Sequence, residues 1–296
     1  MNNTTMEEYA RILEDSPDYR VLRRLPETSC YHASPETSPS IGVYVDIETT
    51  GLSPGTDHII ELAMVTFEFL PDGRIFRVLE QFDQFNDPGF PLPEGIVQLT
   101  GINDAMVQGQ TIDRDKVRTL LDQAVVVIAH NAEFDRVFLE SAFPEFINKA
   151  WACSIHDIPW TEEGLHGHKL EYLTCCQGFF FDGHRAITDC LAGIHLLSLP
   201  LPMSGAPTLK VLLDTARERD YRIWAQGSPF DSKDILKARG YRWNAGDNNR
   251  PKSWYIDVPG ERVKEEMAYL HQQIYGREVE LQIDTKTAFN RYSNRV

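Results

Sequence analysis

The sequence predicts an α/β protein, a mixed five-stranded sheet with helices, followed by a smaller α+β module. Three observations carry this. Residues 41–85 hold three apolar, β-branched runs joined by short turns, and residues 120–199 alternate strand and helix patterns. A Pro- and Gly-containing break at 200–207 (PLPMSGAP) then separates these from a tail with a different charge balance.

Residues 4–25 read as a helix ending in the basic, apolar VLRRL, and residues 26–40, rich in Pro, Ser and Thr, as a linker. Ile41 to Ile47 is a buried strand. Ile59 to Leu70 and Arg74 to Phe85 are the second and third, joined by the hairpin signal Pro71-Asp72-Gly73. The valine run within 120–129 makes a fourth strand, with a helix from Glu133, and Trp151 to His156 makes a fifth. Residues 169–177 and 186–199 read as helices. Beyond the break, 209–219, 232–239 and 261–275 have helical periodicity, while 221–225, 242–245 and 253–258 read as short strands. The expected organisation is an N-terminal helix and linker over 1–40, a main domain over 41–200 and a small module over 208–296.

The 296 residues are 42% hydrophobic, enough for a sizeable core. A net charge of −15 argues against a histone-like or arginine-rich nucleic-acid binder but not against an enzyme that collects carboxylates to hold cations. No stretch approaches the 18 uninterrupted apolar residues of a membrane span, and the first ten residues lack a signal peptide's basic start and apolar run. Five cysteines without a CxxC pair suit neither a disulfide framework nor a zinc finger, so a reduced, cytoplasmic protein is expected.

Asp46 and Glu48, at i and i+2 near the end of the first strand, point to one face of the sheet. Two neighbouring carboxylates are costly to bury without a cation, and a divalent metal is the usual compensation. Thr49-Thr50-Gly51-Leu52 follows, and its Gly admits close backbone approach to a ligand. A second polar cluster, His130-Asn131-Ala132-Glu133-Phe134-Asp135, follows the fourth strand and opens a helix, the common position of a site in such sheets. In the third, His184-Arg185-Ala186-Ile187-Thr188-Asp189, two helical side chains at that spacing would diverge by about 140°. His184 therefore meets Asp189 at one site only from the loop before the helix, which Phe181-Asp182-Gly183 supplies.

At these three motifs the sequence resembles the DEDDh, or DnaQ-like, 3′–5′ exonucleases, the family of the proofreading epsilon subunit of bacterial DNA polymerase III. The resemblance rests on Asp46 and Glu48 in DIETTGL, Asp135 in HNAEFD, and His184 with Asp189 in HRAITD; LTGI at 99–102 and IIE at 59–61 add to it. It covers about residues 41–200, and departs from the family in the fifth strand, which reads ACSIHDIPW. The resemblance implies an RNase H-like sheet and release of 5′-mononucleotides from a DNA 3′ end by two divalent cations, Mg²⁺ with Mn²⁺ as substitute. It implies that Asp46, Glu48, Asp135 and Asp189 hold the metals and that His184 takes the proton of the attacking water. Thr49, Thr50, Leu52, Phe134, His130 and Asn131 are candidate contacts to the terminal nucleotide, Phe134 by stacking or as a core residue.

From Thr208 onward there are 16 basic and 13 acidic residues, a net +3, which leaves −18 on the first 207. Trp224, Trp243 and Trp254 lie in this basic part beside Tyr221, Arg222, Arg242 and Tyr255, a composition that suits either single-strand binding or a small aromatic core. The expected partner is DNA with a single-stranded 3′ end. RNA trimming, a phage-defence nuclease and a polymerase-associated subunit that docks a protein through the C-terminal module are the alternatives. No membrane partner is expected.

Overall fold

The computed structural model describes residues 3–33, 37–246 and 250–295. It divides into two units, Met1–Thr215 and Ala216–Val296.

In the first unit, α1 (Asn3–Glu14) stops well short of residue 25, because Pro17 cannot continue a helix and restricts Ser16 before it. The basic tail is extended instead: Arg23 and Arg24 pair in parallel with Phe179 and Phe180, and Arg23 is bonded to Glu7 and Glu14. The expected linker is also more ordered than its composition suggests. Tyr31 N–H donates to Phe76 O (2.7 Å) and Val78 N–H to Ser29 O (2.9 Å), so this segment lies along a sheet edge. Backbone pairing of that kind leaves no side-chain pattern to read. Part of the same stretch, 34–36, lies outside the described residues.

The five strands are β1 (Ser40–Thr49), β2 (Ile59–Phe69), β3 (Ile75–Phe85), β4 (Val126–Ala129) and β5 (Trp151–Cys153). Their order is β3-β2-β1-β4-β5, with β1 to β3 an antiparallel meander and β4 and β5 parallel to β1. This is the RNase H-like mixed sheet. The unit's longer helices are α2 (Glu94–Thr100), α3 (Arg114–Gln123), α4 (Ala132–Ala142), α5 (Leu170–Cys176) and α6 (Ala186–Ser198), and α7 (Thr208–Arg217) runs across the boundary between the units. Strand β2 is buried on both faces, which is why its sequence is nearly continuously apolar.

One contact sets the position of α6. A Cβ at Gly193 would sit 2.2 Å from Tyr44 Cζ, so only glycine lets this helix close onto β1. Asp189 lies one helical turn before Gly193, and Asp46 lies two residues after Tyr44 on the same strand face. Helix and strand thus bring the two aspartates together.

The second unit is a four-stranded antiparallel sheet with helices, an α+β arrangement. Strands β6 (Asp220–Ala225), β7 (Arg242–Asn244), β8 (Ser253–Pro259) and β9 (Ile283–Lys286) run in the order β9-β6-β8-β7. Helices α8 (Lys233–Ala238) and α9 (Val263–Tyr269) follow β6 and β8, and α9 continues as a wider π-helical stretch to Tyr275. Ile223, Ala225, Leu236, Tyr241, Val258, Leu270 and Ile274 form its core. The aromatic stretch therefore divides: Trp224 is fully buried, while Trp243 is 50% exposed.

Asp257 in β8 accepts bonds from Arg222 (2.7 and 2.8 Å) and Lys286 (2.7 Å). Burial alone would raise its pKa, but these cations hold it down at about 2. A depressed acid stabilises the fold above its unfolded pKa, so this contribution should be complete above about pH 4 and vanish as pH falls through about 2. Its size is roughly 2 kcal/mol. Asp257→Asn should remove that much at neutral pH and flatten acid unfolding of the C-terminal unit between pH 4 and 2. Unfolding free energies measured across that range check it.

Candidate active site

The carboxyl ends of β1 and β4 and the start of α6 open onto a cleft of about 710 Å³. Asp46, Glu48, His184 and Asp189 line it, with Asn131, Lys169 and Glu171. The period of β1 works as expected: Asp46 and Glu48 are only partly buried, on the side that opens to the cleft, while Val45, Ile47 and Thr49 between and beside them are buried. Asp135, in the first turn of α4, is buried, with 4% of its surface exposed.

The electrostatics show these acids facing one another. Burial raises the pKa of Asp46 far above the carboxylate range, and the charges of Asp135, Asp189 and Glu48 raise it further. Burial and Asp189 push Glu48 up to about 8. Burial lifts Asp135 to about 7 against its backbone hydrogen bonds, and lifts Asp189 to about 7 even though Asp189 Oδ2 accepts the Arg185 N–H (3.2 Å). Lys169 is the single Lys or Arg among the residues lining the cleft. Oxygen donors crowded together with so little positive charge fit a hard divalent cation, which would neutralise them. Among the described residues, no three such side chains converge on one point closely enough to hold an ion by themselves.

His184 sits on the loop before α6 with φ +64°, a left-handed conformation rare for a residue with a Cβ. This kink lets a residue five positions before Asp189 enter the same cleft. Its Nε2 lies 3.9 Å from Glu171 Oε1, and its side chain is 50% exposed.

The candidate nucleotide contacts separate into groups. Asn131 and His130 line the cleft. Asn131 occupies the N-cap position of α4 but makes no capping hydrogen bond with its side chain. Both ring nitrogens of His130 are engaged: Nε2 lies 2.7 Å from His168 O and Nδ1 2.8 Å from Ser154 Oγ, which is 3.1 Å from Tyr44 OH. The carbonyl can only accept, so Nε2 carries the proton, Nδ1 accepts from Ser154, and Ser154 accepts from Tyr44. Burial keeps this ring neutral, with a pKa pulled down to about 4.

Thr49 and Thr50 are buried, and their hydroxyls serve the turn: Thr49 Oγ1 donates to Gly51 O (2.6 Å) and Thr50 Oγ1 to Asp57 (3.2 Å). A Cβ at Gly51 would lie 2.6 Å from the Asp57 carboxylate, so the close approach that this glycine admits is made by Asp57. Leu52 is 83% exposed. Phe134 is half-buried against Phe138 (5.0 Å between ring centres) and is not among the residues lining the cleft.

Sequence reasoning quoted Glu61 within IIE at 59–61 but gave no role to this buried acid, which organises the site. Glu61 in β2 faces Glu48 across the strand pair and is fully buried. Its Oε1 accepts from Arg185 Nη2 (3.0 Å) and Nε (3.1 Å), and its Oε2 from the Ala186 N–H (3.1 Å). Glu61 thereby ties down the residue after His184 and the first amide of α6. Lys169 and Glu171, also missed, lie at the start of α5, which only the fold brings beside the acids.

The exonuclease family model RNase T matches residues 43–197. The PolC-type DNA polymerase III of Pediococcus pentosaceus is 41% identical over 168 residues, covering 53% of this chain and 11% of that protein. The PolC-type enzyme of Bacillus subtilis is 33% identical over 210 residues, covering 68% of this chain and 12% of that one. The chain thus spans about a tenth of the length of these curated relatives. Among solved structures, the zinc-bound complex of Escherichia coli ExoI with single-stranded DNA superposes with a TM-score of 0.50 at 14% identity, covering 74% of this chain and 63% of that one. That likeness shows the fold.

Proposed function

The chain belongs to the RNase T exonuclease family, and from that premise we propose that it releases nucleoside 5′-monophosphates from the 3′ end of DNA with two divalent cations, Mg²⁺ or Mn²⁺. The observation that carries this is that Asp46, Glu48, Asp189 and His184 line one cleft, with the buried Asp135 close enough to Asp46 to raise its pKa. DNA as the polymer is supported by the 41% identical relative, a DNA polymerase.

Asp46, Glu48, Asp135 and Asp189 would hold the cations, which supply charge neutralisation on the scissile phosphate and on the entering and leaving oxygens. His184, held out on its strained loop, takes the proton of the attacking water. Water oxygen bonds to phosphorus, the bond to the 3′ oxygen of the preceding nucleotide breaks, and that oxygen takes a proton from solvent to leave as a 3′-hydroxyl, while His184 returns its own proton to solvent. Lys169 offers the cleft wall a cation for a backbone phosphate.

A 5′-labelled panel of single-stranded DNA, duplex DNA and RNA, each with Mg²⁺, Mn²⁺ or chelator, tests the reading. A metal-dependent ladder shortening DNA from its 3′ end is expected; cleavage in chelator, or shortening from the 5′ end, would overturn it. His184→Ala should lower kcat by about 10²- to 10⁴-fold with KM nearly unchanged, because a general base acts in the transition state. An equal rise in KM would assign His184 to binding.

A further inference from the structure

The C-terminal sheet carries its apolar core residues on one face, and its charges, with Trp224 and Tyr255 among them, on the other. Directly opposed residues of antiparallel strands share a face. Arg222 opposes Asp257 and Asp284, while Tyr255 opposes Trp224 and Arg242. Ile223 and Val258 lie on the other side, in the core with Leu236 and Leu270.

On the charged face one carboxylate meets three cations. Asp257 accepts from Arg222 (2.7 and 2.8 Å), Lys286 (2.7 Å) and Arg242 (3.3 Å). Asp284, the other acid beside Arg222, accepts the Trp224 indole N–H (2.6 Å). Asp220 at the strand end is paired with Arg291 (2.9 Å). Arg250 also lies among these groups, so Arg222, Arg242, Lys286 and Arg250 stand against Asp257 and Asp284, and a positive surplus remains. It is held by side chains of which Arg222 and Lys286 are largely removed from water, at 7% and 13% exposure. Such charges gain from a further anion. Arg242 is the accessible member: its side chain is 63% exposed, and its guanidinium lies 5.3 Å from the centre of the Tyr255 ring, over which Arg222 also sits at 4.3 Å.

We propose that this face binds single-stranded nucleic acid, a backbone phosphate meeting Arg242 and Lys286 and a base lying on the flat Arg242–Tyr255 pair. A point cation beside a planar guanidinium supported on an aromatic ring serves both parts of a nucleotide, charge for the phosphate and a stacking surface for the base. The choice of nucleic acid over another polyanion rests on the nuclease reading above.

The test uses the full chain in chelator, with fluorescein-labelled oligothymidylate followed by anisotropy at several salt concentrations. Arg242→Glu should weaken binding about fivefold or more at low salt and reduce the salt slope by about one. Arg242→Lys should recover part of the affinity. Arg277→Glu, the same charge change at another exposed position of the unit, should have little effect. Equal affinities for Arg242→Glu and Arg277→Glu would overturn the site. Hydrolysis of thymidine 5′-monophosphate p-nitrophenyl ester with Mn²⁺, too short a substrate to need this face, reports the nuclease separately. Binding that depends on Arg242 in a chain that hydrolyses nothing would uphold the site and reject the nuclease. Hydrolysis together with binding indifferent to Arg242 would do the reverse.

Discussion

Asp46→Asn should lower kcat by about 10³-fold or more, since the acid at the centre of the cluster supports several kcal/mol of charge stabilisation in the transition state. The same substitution should raise the melting temperature of the metal-free protein. Burial first, and then Asp135, Asp189 and Glu48, hold the Asp46 carboxyl far above its ordinary range, so a neutral amide there removes the cost of protonating or burying that acid on folding. Each kcal/mol relieved corresponds to about 2–4 °C for a chain of this size. Loss of activity joined to a gain in stability is what separates a functional cluster from a structural one; a fall in both would mark Asp46 as a packing residue.

The pH dependence follows from the same crowding. Glu48 titrates near 8, and Asp135 and Asp189 near 7, all above their ordinary values. Between about pH 4 and 8 the folded chain therefore holds protons that the unfolded chain has lost, so metal-free stability should fall as pH rises through that window. Mg²⁺ or Mn²⁺ binds the ionised form and should restore the melting temperature most at pH 8, with little effect on Asp46→Asn. A metal-free melting temperature that rises from pH 5 to 8 would contradict the raised pKa values.

What could be read in advance depended on how local its cause was. The alternation of β1 placed Asp46 and Glu48 on one face because a strand's period depends on the strand alone. The loop position of His184 followed from helix geometry over five residues. Strand β9 escaped because Ile-Asp-Thr-Lys at 283–286 has a single apolar residue, and its place in the sheet is fixed by pairing with β6. The hydroxyls of Thr49 and Thr50 lie beside the acids in sequence, yet the turn that Asp57 closes engages both. His130 stands in a recognisable motif, but its partners, Ser154 in the turn after β5 and the His168 carbonyl, lie 24 and 38 residues away. Chemistry-bearing residues were legible at short range, and the groups that hold them in place were not.

Glu61 is the sharpest such case, and removing it should have the second largest effect. Its partner Arg185 lies 124 residues away in sequence, so neither residue announces the other. Glu61→Leu leaves Arg185 without its carboxylate and the Ala186 amide without an acceptor, and should destabilise the unit by about 3 kcal/mol, the lower end for breaking a buried pair because Arg185 is 39% exposed and can reach water. Glu61→Gln keeps one acceptor oxygen and should fold with a smaller loss. Its defect should be kinetic: with Arg185 loosened, the His184 loop and Asp189 lose their fixed relation, and kcat should fall about 10- to 100-fold while KM changes less than about twofold. Glu61→Asp, which restores the charge on a shorter stem, should recover part of that loss. A purely structural Glu61 predicts a different result, in which Glu61→Gln melts earlier but turns over normally once folded. Measuring kcat, KM and the melting temperature on the same three variants distinguishes the two.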